Sequence, residues 1–319
     1  MELQRACQIL ARDCLDIKND ETVLIVVDDE SKELGEILEK NVRQYAKEVI
    51  LIKMKTRSRN GEEPPLLVAE AMSLAEVVIA PTTKSITHTE ARRRACQKGA
   101  RVASMPGIDL DMLTRTLNAD YNAIQALTHK LTDLLTKGKM VEVSSALGTK
   151  ITFAITGRQA IADTGMIKNP GDFGNLPAGE AYIAPLERTA EGVIVFDGMI
   201  AGIGRLEQPI KATIEEGKLV KAEGGIAAEV LIEMLAKVGK EEAYNLAEFG
   251  IGTNDKAMIT GKILEDEKVI GTIHFAFGDN TSMGGMVKVP IHVDGVVTKP
   301  TVKIDDNLIM VEGQLLIDE

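Results

Sequence analysis

Two hydrophobic periods alternate along the first part of the chain. Leu3–Leu15 carries apolar residues at helical spacing, and Thr22–Asp29 (TVLIVVDD) follows as a continuous β-branched run that ends in acids. The same exchange recurs: KELGEILEKNVRQYA is helical and EVILIKMK a strand; LLVAEAMSL is helical and AEVVIAPT a strand; HTEARRRACQKGA is helical and RVASMP a strand. Strands that are apolar throughout, separated by helices, are buried on both faces and belong to a parallel sheet. The pattern therefore predicts an α/β N-terminal domain with an open parallel sheet.

The period changes after a long helix expected over Asn118–Gly138. Beyond it the chain breaks into short strands with Gly, Asn and Asp turns: VEVSSALGTKITFAITG, EAYIAPLE, EGVIVFDGMI, IKATIEEGKLVKAEGG, KVIGTIHFAFG and KVPIHVDGVVTKPTVKIDD. EEGK and the DGVVTKP stretch read as hairpin connections. One helix, GIAAEVLIEMLAKVG, interrupts them. The expected division is an open-sheet domain over 1–138 and a mostly β (α+β) metal-binding domain over 139–319.

Composition narrows the function. The 319 residues suit two domains, and with aromatics at 3% and no Trp the cores must be built from aliphatic residues and 13 Met. A net charge of −11 argues against nucleic acid as a partner. The one basic cluster, Arg92–Arg94, reads as a solvated helix face. Three cysteines (Cys7, Cys14, Cys96) without a CxxC spacing fit a reducing compartment. The N-terminus lacks the apolar core of a signal peptide, and no apolar run is long enough to span a membrane. The expectation is a cytoplasmic protein with no membrane partner. The first domain carries no GxGxxG after its first strand and no GxxxxGK[ST], so it reads as scaffold.

Candidate chemistry concentrates in HFAFGDNTSMGGMVKVPIHVDG. Of four histidines, His274 and His292 fall here, on apolar strands where an unpartnered imidazole is costly. His292 and Asp294 are i and i+2 on a strand and project to one side, with Gly295 placed to let the chain turn away. Two histidines and one carboxylate suit mononuclear Fe(II). Glu180 (GNLPAGEAYIAP) and Glu248 (YNLAEFGIGTN) would extend the set to a two-metal hydrolase. Taken singly, each of these residues is also an ordinary strand-edge or surface feature.

The blocks GNLPAGEAYIAP, LAEFGIGTN, HFAFG and HVDGVV, in that order, resemble the ligand blocks of the aminopeptidase T family of metallopeptidases, and TEARRRACQKGARVASMPG fits the family's first half. The resemblance implies that Glu180, Glu248, His274, His292 and Asp294 hold two divalent ions (Zn, Co or Mn), with a bridging carboxylate and a metal-activated water that removes the N-terminal residue of a small peptide. It implies Glu180 and Glu248 as catalytic carboxylates and a homodimer. Asp279 and Glu187 stand as candidates to anchor the substrate amine. The family's oxyanion-stabilising Tyr, in HxALGxAY, is replaced in HFAFGDNT by Thr281, whose hydroxyl reaches less far; a lost oxyanion donor costs on the order of 10²–10³ in rate. The chain also resembles 2,5-dihydroxypyridine 5,6-dioxygenases, which implies one Fe(II) on His274, His292 and Asp294. A third reading is a non-catalytic metal-binding homologue.

Overall fold

The computed structural model describes residues 1–317 and divides them into two compact units, one of 1–125 with 163–178 and one of 126–162 with 179 onward. In the first unit, strands β1 (Thr22–Val27), β2 (Glu48–Lys53), β3 (Val77–Ala80), β4 (Arg101–Ser104) and β5 (Phe173–Asn175) form one parallel sheet in the order β2-β1-β3-β4-β5. The first four are the apolar runs read from the sequence. β5 is a correction: FGN is too short and polar to register as a buried strand, and its segment returns to the first unit rather than to the second. The expected boundary at residue 138 also shifts, because the division falls inside the helix Tyr121–Lys137.

Strand order reverses between β1 and β3, where open α/β sheets usually bind ligands. Side chains at that point bond to one another. Asp28 accepts hydrogen bonds from Thr83 N at 2.6 Å and Thr83 Oγ1 at 2.8 Å, and from Ser31 N and Oγ. The expected solvated basic face holds for Arg93 and Arg94, which pair with Glu90 and Glu70 at the surface, and is corrected at Arg92, which is buried, donates Nε to the Thr87 carbonyl at 2.6 Å, and lays its guanidinium over the Phe173 ring. Among the described residues no helix is long and apolar enough to cross a membrane.

The second unit is mainly antiparallel. One sheet of eight strands contains the hairpin Ile210–Glu215 to Lys218–Glu223, whose Glu216-Gly217 turn has positive φ at both residues. A second sheet has at its centre β6 (Glu180–Ile183), β7 (Leu246–Gly252), β8 (Thr272–Gly278) and β9 (His292–Thr298), in the order β9-β8-β7-β6. The expected DGVVTKP hairpin is not one. Gly295 stays inside β9, where a Cβ would meet Phe196 at 2.6 Å and Ile200 at 2.5 Å, and the chain crosses to the other sheet after Lys299.

Strand alternation gives the central sheet two unlike faces. One carries Phe249, Ile251, Ile273, Phe275, Phe277, Val293 and Val297, all buried in the aliphatic and aromatic core. Phe249 and Phe275 pack tilted at 5.4 Å between centroids, and Phe153 closes on both. The opposite face carries the candidate site.

Candidate metal centre

The register puts every sequence-predicted ligand on that second face. Glu248 pairs with Ala276 and Ala276 with Asp294; Gly250 pairs with His274; Gly252 pairs with Glu180; Gly278 pairs with His292. Directly paired residues of an antiparallel sheet share a face, so Glu180, Glu248, His274, His292 and Asp294 converge. The intervening positions are small, and this makes the room. A Cβ on Gly250 would stand 2.1 Å from the His274 ring. The imidazole lies across β7, and only glycine lets it do so.

Glu248 sits between the histidines: its Oε1 is 3.2 Å from His274 Nε2 and its Oε2 is 3.1 Å from His292 Nε2. Asp294 Oδ1 is 3.3 Å from His292 Nε2, and Glu180 Oε2 is 3.4 Å from His274 Nε2. Glu248, His292 and Asp294 each offer a ligand atom within 4.8 Å of the others. Donors about 2.1 Å from one metal stand roughly 3.0 Å apart at octahedral and 3.4 Å apart at tetrahedral angles. The observed separations fall in that range.

His292 is oriented from behind. Its Nδ1–H donates to the Asp279 carbonyl at 2.8 Å, which leaves Nε2 facing the carboxylates. Asp279 in turn accepts from Thr281 N and Oγ1 and from Val289 N, and Asn280 donates to Glu187 at 3.0 Å. Glu187 also accepts from Met286 N and pairs with Arg158, which donates to the Gly284 carbonyl as well. The loop after β8 is thus a stiff brace for one ligand. Glu187 and Asp279, the acids considered as anchors for a substrate amine, already serve in that brace. Thr281 is exposed and gives its hydroxyl to Asp279 at 2.8 Å; it is not among the gathered donors.

Two functional residues escaped the sequence reading. Lys268 is 1% exposed and its Nζ lies 2.7 Å from Glu180 Oε1 and 2.6 Å from Glu267 Oε1. The segment that carries them crosses Gly252 so closely that a Cβ there would meet the Val269 carbonyl at 2.2 Å. It is folded tightly because Asp266 accepts from Thr260 and Gly261 and Glu265 accepts from Met258. In the sequence EDEK looks like a charged turn; the one available signal was four charged residues set between two apolar segments.

Four carboxylates gather here: the Lys268 ammonium pairs with Glu180 and Glu267, and the histidines face Glu248 and Asp294. Burial pushes Glu180 up to about 7, against the pull of Lys268. Burial likewise raises Glu267, opposed by Lys268 and reinforced by Asp294. Burial alone would depress His274, but the Glu248 hydrogen bond and the charges of Glu180, Glu248 and Glu267 outweigh it and raise it to about 9. His292 is likewise driven well above its ordinary value, by Asp294 and Glu248 against burial. Glu248 is held well below the carboxylate range: burial opposes this, and the two histidines outweigh it. Glu180 Oε2 and His274 Nδ1 are buried without hydrogen-bond partners. A site this acidic, with orphaned donor atoms and ligand-like spacing, fits a divalent cation.

Fold and site together define a two-unit protein with a carboxylate–histidine cluster, three of whose members could hold a metal ion, on the face of an antiparallel sheet. A family model for NicX, 2,5-dihydroxypyridine 5,6-dioxygenase, matches residues 5–317, and the chain belongs to that family. The 2,5-dihydroxypyridine 5,6-dioxygenase of Pseudomonas putida is 24% identical over 273 residues, spanning 80% of this chain and 75% of the relative. A solved structure of the Pseudomonas putida 2,5-dihydroxypyridine dioxygenase superposes with a TM-score of 0.82 at 20% identity, covering 100% of this chain and 97% of the other. Wild-type AmpT from Thermus thermophilus superposes with a TM-score of 0.71 at 17% identity, covering 99% of each chain. The expected fold, an α/β domain with a parallel sheet followed by a mostly antiparallel β domain, is therefore the one observed, and it is the fold of aminopeptidase T. The likeness to the peptidase is one of fold; the sequence family is that of the dioxygenase.

Proposed function

We propose that this chain is a mononuclear metal-dependent oxygenase that opens a small hydroxylated aromatic ring. The observation that carries the one-metal reading is Lys268. Its ammonium, 2.7 Å from Glu180 Oε1, supplies positive charge where a second divalent ion would need that carboxylate. Glu248, His292 and Asp294 hold the single ion, and His274 stands on the other side of Glu248, facing its Oε1 and Glu180 Oε2. Two histidines with carboxylate oxygens suit Fe(II). Bound there, iron supplies the one-electron chemistry with dioxygen that a closed-shell ring lacks.

The chain's own contribution is orientation and charge. The Asp279 carbonyl fixes the His292 tautomer with its proton on Nδ1. Glu248 receives both imidazoles and sets the angle between them. Lys268 offsets Glu180 and Glu267, so that the pocket keeps room for one dication without excess negative charge. The family relationship supports the ring as substrate class, because the Pseudomonas putida relative is named for a dihydroxypyridine.

One observation favours the peptidase reading: Glu248, with an oxygen toward each histidine, is shaped like a bridging carboxylate between two ions. Nitric oxide added to anaerobically Fe(II)-loaded protein separates the readings. An isolated iron gives a half-integer-spin EPR signal in proportion to the iron bound, which is the result expected here; a spin-coupled pair, giving no such signal, would sink the one-metal assignment.

A further inference from the structure

We infer that Lys268 is a built-in cation that occupies a latent second metal site and limits the chain to one divalent ion. The inference rests on the one-metal reading and adds the residue responsible. The latent site is assembled from atoms already described. Glu248 Oε1 and Glu180 Oε2 both face His274 Nε2, at 3.2 and 3.4 Å. Glu267 adds a fourth group through the same ammonium. On the His292 side the equivalent arrangement has Asp294 as the outer carboxylate, its Oδ1 3.3 Å from His292 Nε2. The two halves of the site are alike in donors, and in the His274 half the outer carboxylate, Glu180, is bound by the Lys268 ammonium.

The half that holds Lys268 shows the marks of a cation site. Glu180 Oε2 is buried without a hydrogen-bond partner, on a side chain 9% exposed that points at His274. The Lys268 backbone is fixed, Asn254 N donating to its carbonyl at 2.8 Å and its own N to the Glu265 carbonyl at 2.9 Å, and its buried ammonium is held between Glu180 and Glu267. A divalent ion in this half would need Glu180 as a ligand, and the ammonium holds the carboxylate by charge and hydrogen bond together. Removing the ammonium leaves Glu180 and Glu267 buried and uncompensated, a state that a metal ion relieves.

The test is the stoichiometry of Co(II), used as the probe, by calorimetric titration and elemental analysis of the full chain freed of metal. Wild type is expected to take up one equivalent. Lys268→Met, and Lys268→Gln, which keeps a hydrogen-bond donor without the charge, are expected to take up a second equivalent at least tenfold more tightly than any further binding by wild type. Thermal melting of each variant, with and without Co(II), is expected to show a larger metal-induced stabilisation than in wild type. A single equivalent in both folded variants, with wild type also at one, overturns the role of Lys268 and leaves the one-metal reading standing. Two equivalents in wild type, or none, overturn both. Should neither variant fold, wild-type crystals soaked in excess Co(II) decide: an anomalous peak beside Glu180 overturns the inference, and a peak confined to the His292 side supports it.

Discussion

Glu248 stands between the two histidines of the sheet, Oε1 3.2 Å from His274 Nε2 and Oε2 3.1 Å from His292 Nε2. In the metal-free protein this carboxylate and its acidic neighbours favour the protonated form of both rings. His274 rises from 6.5 to about 9 and His292 moves the same way. The sign follows from linkage. A histidine whose folded pKa lies above its unfolded value stabilises the fold fully below about 6.5, and that contribution fades as pH rises through about 9. Metal-free protein is therefore expected to melt at lower temperature as pH climbs across this window. Metal must displace those protons, so its affinity rises over the same window. Thermal melts and metal titrations at several pH values check both; a flat profile for each would remove the histidines from the site's electrostatics.

Gly250→Ala tests the packing of His274. The added Cβ would stand 2.1 Å from the ring, so either the imidazole or β7 must move. The expected cost is about 1–3 kcal/mol of stability, measured by denaturant unfolding, together with weaker metal binding. An unchanged metal affinity would mean that His274 does not position Glu248 for the metal.

Asn280→Ala removes one of the links between Glu187 and the loop that carries Asp279, the others running through Met286 N and Arg158. Asn280 is fully buried, donates to Glu187 at 3.0 Å and accepts from Val287 N at 2.9 Å. Metal affinity is expected to fall roughly 10–100-fold, as for other groups that orient a ligand from behind. Calorimetric titration of a folded variant reads this directly, and wild-type affinity would mean that the brace is merely structural.

Thr281→Val is expected to leave metal affinity and turnover within about twofold of wild type. Its hydroxyl is exposed and bound to Asp279, so the loss is one local hydrogen bond, about 1 kcal/mol or less of stability. A collapse of turnover at unchanged metal content would restore Thr281 to the chemistry.

The hydrophobic pattern made most of the fold legible. Four of the five parallel strands are apolar runs long enough to stand out, and Glu216-Gly217 announces its hairpin. β5 did not, because three residues with one aromatic carry no period. The site was legible as far as residue type and alternation reach: His292 and Asp294 at i and i+2 had to share a face. Register is what joins them to Glu180, Glu248 and His274, and register depends on partners distant in sequence. Lys268 and Glu267 were hidden for the same reason. A lysine among acids looks solvated until the fold passes it over Gly252 and shuts water out. The role of Gly250 lay equally beyond the sequence, since it answers to a ring on the next strand.

The central claim meets its most direct test in oxygen uptake by the full chain loaded with Fe(II) and given 2,5-dihydroxypyridine, with peptide hydrolysis by the Zn- and Co-loaded protein measured alongside. The account predicts oxygen consumed in step with loss of the ring, dependent on iron and abolished by His292→Ala, and no release of N-terminal residues from peptides. Peptide cleavage that requires two metal ions per chain, with no oxygen consumed on this or related hydroxylated rings, would contradict it.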